Sequence, residues 1–308
     1  MIPALLIIAG LVLLLFGGDA LVRGAVSLSL RVGIPALIVS LTIVAFGTSA
    51  PELLITIQAG LDNVPQLALG NIIGSNIANI LLVLGVPAVI FGIQSQGTDT
   101  RRDFCLMIGA SVLFIALAFS MPFGPMTGII LFATIVVILG ITFWQAKAGT
   151  VNPEEDLEVE DDPFWKSILF LIGGLIALPS GAKLLIDGSI VVATKMGISE
   201  AVIGLTIVAI GTSLPELATT VMAAYRKQAD VAIGNVLGSN MFNLLVIGSA
   251  AAFFGPFKVD PQFLRFDLWI MIGASLLVIP YVFAHINLNR VWGFAFCAGY
   301  VAYIWAIL

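Results

Sequence analysis

The sequence predicts an all-α integral membrane protein, with ten transmembrane helices arranged as an inverted repeat of five plus five and with helices broken near the bilayer midplane. Three observations predict it. Of 308 residues, 60% are hydrophobic and only 10% are charged, against about a quarter charged in a soluble domain; such a chain has lipid as its main solvent. Residues 41–53, LTIVAFGTSAPEL, return at 205–217 as LTIVAIGTSLPEL, identical at eleven of thirteen positions. GNIIGSNIAN at 70–79 returns at 234–243 as GNVLGSNMFN, and the same 164-residue offset serves both pairs. One offset shared by two motifs marks a duplicated unit.

A bilayer-crossing helix needs roughly 20 apolar residues. That criterion places spans at about 2–22, 34–59, 66–92, 103–120, 125–145, 166–188, 198–224, 230–255, 266–285 and 289–307. Seven of the 18 acidic residues crowd into Glu154–Asp162, within the one substantial polar linker. The chain therefore divides into a first repeat (1–149), an acidic linker (150–163) and a second repeat (164–308). Nine basic residues (Arg23, Arg31, Arg101, Arg102, Lys147, Lys166, Arg226, Lys227, Arg290) fall on one side and four (Lys183, Lys195, Lys258, Arg265) on the other. The basic side is expected to be cytoplasmic, which puts the linker inside and both termini outside. The apolar N-terminus lacks the basic start and small-residue cleavage site of a signal peptide and reads as the first span. Five spans per repeat is an odd number, so the second copy enters the membrane in the opposite sense. Inverted repeats with Gly/Pro-interrupted helices at matching positions are typical of secondary transporters.

Nothing in the composition suggests nucleic-acid binding, and no obligate protein partner is evident beyond membrane lipid. Cys105 and Cys297 stand apart with no ligand-type spacing and read as small core residues. His285 sits near the end of a span and reads as interfacial.

The chemistry lies in the repeated motifs. Pro51 and Pro215 fall within apolar runs. Proline has no amide hydrogen and its ring clashes with the carbonyl four residues back, so the carbonyls of Gly47 and Gly211 are freed. Unpaired carbonyls at membrane depth survive only in protein or around water, and they are hard oxygen ligands suited to Na⁺ or Ca²⁺. In a helix, Thr48 and Ser49 share a side with Glu52, and Thr212 and Ser213 with Glu216. Asn71, Ser75 and Asn79 form a polar stripe that Asn235, Ser239 and Asn243 copy. The GxxxG spacings Gly70–Gly74 and Gly234–Gly238 read as helix-packing faces. Each glutamate costs about 2.5–3.5 kcal/mol at a helix centre. Two of them at equivalent positions, with no Lys or Arg in those spans, call for a cation. The absence of sulfur and imidazole points to a hard one.

At these residues the chain resembles the cation/calcium exchanger superfamily, closest to prokaryotic sodium/calcium exchangers: GTSAPEL and GTSLPEL, with GNIIGSN and GNVLGSN, are similar to its two α-repeats, whereas the GNxxE motif of proton/calcium exchangers is absent. The resemblance implies an antiporter, not an enzyme, with Na⁺ and Ca²⁺ as transported ions, no cofactor, and a prokaryotic plasma membrane location. It implies a Ca²⁺ site using Glu52, Glu216 and the carbonyls of Thr48 and Thr212. It implies Na⁺ sites that add Ser49, Ser213, Ser75, Ser239 and the carbonyls of Ala45 and Ala209, with Asn79 and Asn243 in the middle. Relatives often carry aspartate at the position of Asn243, which weakens the case for K⁺ co-transport. The resemblance also implies that spans 1 and 6 slide over a fixed core, eased by Gly17, Gly18, Gly173, Gly174 and Gly181.

Three alternatives stay open at the level of residues. Protons can neutralise two glutamates as well as Na⁺ can, so H⁺/Ca²⁺ exchange, or exchange of another divalent cation, fits the same site. Oxygen-lined acidic pores also serve cation channels. An intramembrane hydrolase could use paired carboxylates, though no nucleophile and base pair is evident.

Overall fold

The computed structural model describes residues 2–32, 36–94, 100–147, 163–196 and 209–307. Most of the acidic linker and the first half of the predicted seventh span lie outside these residues. The described chain is helical, with only isolated bridges at Ile93–Leu288 and Phe123–Phe257. Among the described residues, eight helices are long and apolar enough to cross a membrane, or nine if the bent pair Ser40–Thr48 and Ala50–Leu61 counts as one. Large apolar side chains such as Phe16, Leu54, Phe132, Ile176 and Trp305 face outward, as a multi-pass membrane protein requires.

The chain opens with α1 (Ile2–Val32), α2 (Ala36–Val39), a π-helical turn (Ser40–Val44), α3 (Ala45–Thr48) and α4 (Ala50–Leu61). It continues with α5 (Pro65–Ala78), a second π-turn (Asn79–Val83), α6 (Gly85–Ile90), α7 (Arg101–Ser120) and α8 (Pro125–Lys147). The second half has α9 (Phe164–Lys195), α10 (Ala209–Thr212), α11 (Leu214–Tyr225), α12 (Ala229–Phe242), a π-turn (Asn243–Ile247) and α13 (Gly248–Phe253). A π-turn (Phe263–Asp267), α14 (Leu268–Leu276), α15 (Ile279–Ala284) and α16 (Arg290–Ile307) complete it.

α1 and α9 outrun their expected spans of 2–22 and 166–188. Charge does not stop α1, because Asp19 pairs with Arg23 one turn on and with Arg226 from α11. Neither Arg23 nor Arg31 lies in a loop; both are helical. The two long helices lie side by side. A Cβ on Gly10 would sit 2.7 Å from the Gly181 carbonyl oxygen, and one on Gly174 would sit 2.8 Å from that of Gly17. Gly24 likewise meets Ser167 and Leu171, so partner numbers fall along α9 as they rise along α1 and the helices are antiparallel. Small residues let backbones approach closely in lipid, where no hydrophobic force drives helices together.

The glycines expected to ease sliding therefore divide. Gly17, Gly174 and Gly181 bind α1 to α9; Gly18 alone faces the core, against Ala218 and Met222 of α11. Gly173 has no neighbour within 4 Å of an added Cβ. Leu14, Leu21, Leu171 and Leu178 of the pair form a small apolar cluster that also takes in Val39 of α2 and Val44 of the first π-turn, and Val22 and Val26 of α1 cluster with Ala223, Val231 and Ala232 of α11 and α12. The main core is built mainly from α5 to α8 and α12 to α16, with Ala59 of α4 and Ala224 of α11. Cys297 abuts Gly85, whereas Cys105 faces outward rather than into the core. His285 caps α15 in the left-handed region and meets Arg101 at 3.0 Å.

Candidate functional site

Each repeated motif forms a broken helix. α3 ends at Thr48, Ser49 adopts φ −84°, ψ 10°, and α4 begins at Ala50. α10 ends at Thr212, Ser213 adopts φ −84°, ψ 6°, and α11 begins at Leu214. The bend in the first copy is 50°. The break thus falls on the serine. Pro51 and Pro215 sit in the first turn of the following helix, where a missing N–H costs nothing; they start a helix rather than kink a continuous one. Glu52 and Glu216 lie in that same first turn, at the positive end of the helix dipole, which favours their negative charge.

The break also redirects the hydroxyls. Ser49 and Thr48 do not serve their own carboxylate, because each reaches into the opposite repeat. Ser49 Oγ donates to Glu216 Oε1 at 2.9 Å. Thr48 Oγ1 lies 3.3 Å from Asn235 Oδ1 and 3.5 Å from Ser239 Oγ, as well as 3.3 Å from the Ala45 carbonyl. That carbonyl also accepts the Ser49 N–H at 3.0 Å. Both motifs therefore converge on one buried site, where Thr48, Ser49, Glu216, Asn235 and Ser239 are fully buried and Glu52 is 1% exposed.

Asn71 and Asn235 act as clamps. Asn71 Nδ2 donates to the Glu52 carbonyl at 3.1 Å and to Thr56 Oγ1 at 3.3 Å. Asn235 Nδ2 repeats this with the Glu216 carbonyl at 3.3 Å and Thr220 Oγ1 at 3.0 Å. Both amide nitrogens are thus spent on fixing each broken helix to its neighbour. Ser75 and Thr212 line a cavity of about 350 Å³ beside the site, together with Asn71. Ala209 opens α10.

Several functional residues escaped the sequence reading. Asn79 Nδ2 donates to Asn240 Oδ1 at 3.0 Å, and Asn240 Nδ2 donates back to the Asn76 carbonyl at 3.3 Å. This amide bridge ties the two repeats together. The GSN triplet recurs at the repeat offset, so its third residue was open to the same reasoning as its second. Thr56 and Thr220 were legible in the same way. The paired π-turns starting at Asn79 and Asn243 were not, because nothing in the local pattern announces an extra residue per turn; such turns gather at functional sites.

Among the described residues, both oxygens of Glu52, Oε2 of Glu216, Oγ of Ser213 and the side-chain oxygens of Asn76, Asn79 and Asn243 are buried without a hydrogen-bond partner. Of the orphaned atoms in the motifs, only Asn243 Nδ2 is a nitrogen. Each buried unpaired polar group costs about 1–3 kcal/mol, more if charged. Six bare acceptors and one hydroxyl against a single amide nitrogen leave a surplus of oxygen lone pairs that a cation makes good. No group of three or more His, Cys, Asp or Glu side chains suited to a metal occurs among the described residues, so the charge rests on two carboxylates and the other donors are neutral oxygens.

Residues 2–144 and 166–308 match the family described as sodium/calcium exchanger protein. The chain is 33% identical over 284 residues to "Putative antiporter CaxA" of Alkalimonas amylolytica, covering 91% of this chain and 89% of that one. It is 31% identical over 338 residues to "Sodium/calcium exchanger MaX1" of Methanosarcina acetivorans, covering 97% of each. Among solved structures, one of the sodium-calcium exchanger NCX_Mj soaked without Na⁺ or Ca²⁺ superposes with a TM-score of 0.86 at 28% identity, covering 100% of this chain and 99% of that one.

Proposed function

The chain belongs to the sodium/calcium exchanger protein family, and from that premise we propose that it is a secondary antiporter exchanging Na⁺ for Ca²⁺ across a membrane by alternating access. The observation that carries this is the row of buried, partnerless oxygens around Glu52 and Glu216. Oxygen donors without nitrogen or sulfur suit hard cations.

In this reading Ca²⁺ is held by both carboxylates with the carbonyls of Thr48 and Thr212. Na⁺ ions draw on the same carboxylates with Ser49, Ser213, Ser75, Ser239 and the carbonyls of Ala45 and Ala209, while Asn79 and Asn243 complete the centre. Asn71 and Asn235 support the site as clamps. Two carboxylates and one Ca²⁺ sum to zero charge, whereas two carboxylates and three Na⁺ carry one net positive charge. A three-for-one exchange is then electrogenic and couples to voltage at about 2.3 kcal/mol per 100 mV.

We assign ten spans in two inverted halves, 1–149 and 164–308, joined by the cytoplasmic linker 150–163, with both termini outside. The antiparallel run of α1 against α9 supports the inversion, since these helices open the two halves. The close α1–α9 face packed through Gly10, Gly17, Gly24, Gly174 and Gly181 supports movement of the pair as a unit over the core, with Gly18 at the sliding contact. In proteoliposomes with pH clamped, an imposed Na⁺ gradient is expected to drive ⁴⁵Ca²⁺ uptake. Uptake driven by a pH gradient alone would assign proton coupling instead, and flux without any counter-ion would mark a channel.

A further inference from the structure

We propose that the cavity beside the exchange site is a binding site for a primary ammonium ion carried on an apolar body, anchored by the carboxylate of Asp267. The cavity, about 350 Å³, lies between α5, the Phe263–Asp267 π-turn and α16, and runs from Ser75 and Thr212 to Asp267. Its volume falls within the range of small-molecule pockets, ~300–1,000 Å³. Leu67, Phe263, Ile304 and Ile307 supply an apolar wall, and Tyr300 and Tyr303 supply aromatic rings. Among the described residues that line it, Asp267 is the one ionisable acid or base apart from those tyrosines.

Asp267 is 3% exposed. Its Oδ1 accepts the Tyr303 hydroxyl at 2.9 Å, while Oδ2 is buried with no partner. A partnerless carboxylate oxygen in an apolar chamber calls for a charged N–H donor. A resting metal ion fits poorly, because Ca²⁺ takes 6–8 oxygens and this end of the chamber offers one free one. An anion is refused, since no Lys or Arg is among the described residues of the wall. An ammonium ion meets these features: its N–H donates to Oδ2, its charge lies in a chamber whose described wall carries an acid and no base, and its apolar body lies along the apolar wall. The ion can be the headgroup of an amino-lipid or a free amphiphilic amine.

The test is titration of phenethylammonium chloride into the full chain in nanodiscs, followed by calorimetry. Saturable binding is expected. Asp267→Asn is expected to weaken it at least about tenfold, and so is replacing the probe by its N,N,N-trimethyl form, which has no N–H to donate. Ile304→Phe is expected to weaken binding by narrowing the chamber while keeping the carboxylate. No saturable binding, or equal binding by Asp267→Asn or by the trimethyl probe, overturns the proposal. Discs containing phosphatidylethanolamine in place of phosphatidylcholine separate the sources: weaker probe binding identifies the lipid headgroup as occupant, and unchanged binding identifies a free amine. Inhibition of exchange by the probe is a further consequence that rests on the antiporter reading. The binding titration does not, so the two fail separately.

Discussion

Asn71 and Asn235 occupy equivalent positions in the two repeats, yet replacing each by alanine is expected to have unequal effects. Asn235 holds three buried partners: it donates to the Glu216 carbonyl and Thr220 Oγ1, and it accepts from Thr48 of the other repeat. Asn71 holds two, the Glu52 carbonyl and Thr56 Oγ1, and is itself only half-buried. At about 1 kcal/mol net per hydrogen bond, Asn235→Ala should cost about 3 kcal/mol. Asn71→Ala should cost about 1–2 kcal/mol, because water reaching a half-exposed position replaces part of what is lost. The assay is thermal unfolding of purified protein in ion-free buffer, with Na⁺-driven ⁴⁵Ca²⁺ uptake measured in parallel. Asn235→Ala should melt several degrees lower than Asn71→Ala. It should also raise the KM for Ca²⁺ more, since it loosens both the Glu216 helix and Thr48. Equal losses, or a greater loss at Asn71, would refute the claim that the environment splits the repeat's symmetry.

Other outcomes follow from the same geometry. Glu52→Gln removes a buried charge whose oxygens have no partner; it should abolish Ca²⁺ uptake, raise the melting temperature in ion-free buffer, and erase the upward shift that Ca²⁺ produces in the unmodified protein. Ser49→Ala removes the hydrogen bond to Glu216 Oε1; at about 1.5–3 kcal/mol for a bond to a charged group, it should weaken Ca²⁺ activation of uptake by roughly tenfold or more, read as KM. Gly174→Ala drives a Cβ to within 3 Å of Leu21 N and the Gly17 carbonyl oxygen; overpacking of this kind costs about 1–3 kcal/mol, whereas Gly173→Ala, with open space around it, should leave stability and uptake unchanged. Asn243→Asp adds a third acid to the Glu52–Glu216 site, and its uptake should fall more steeply on acidification than that of the unmodified protein when initial rates are followed from neutral to mildly acidic pH.

The motifs were legible because their pattern is local and doubled. The membrane helices followed from apolar runs, and the two glutamates stood out because lipid makes an unpaired carboxylate expensive. Helix ends were less legible. α1 continues through Asp19 and Arg23 to Val32, since a partner on α11 neutralises charge that hydropathy reads as a boundary. The proline likewise marked the break to within two residues: Pro51 and Pro215 lie in the first turn of α4 and α11. The bend itself sits on Ser49 and Ser213, residues whose backbone the sequence leaves free.

The sequence by itself determined the membrane setting, the duplication, and the identity of the side chains that crowd the centre, because each of these is written in residue type and spacing. Tertiary structure alone decided who bonds to whom. Ser49 reaches Glu216, while both oxygens of Glu52 stand without a partner. Gly238 is pressed against the Leu41 carbonyl, where an added Cβ would sit 2.6 Å away, but its counterpart Gly74 borders the open cavity. Identical residues in the two copies thus become chemically unequal. Hydrogen bonds and packing depend on how segments from more than a hundred residues away are brought together, which residue type and spacing do not state.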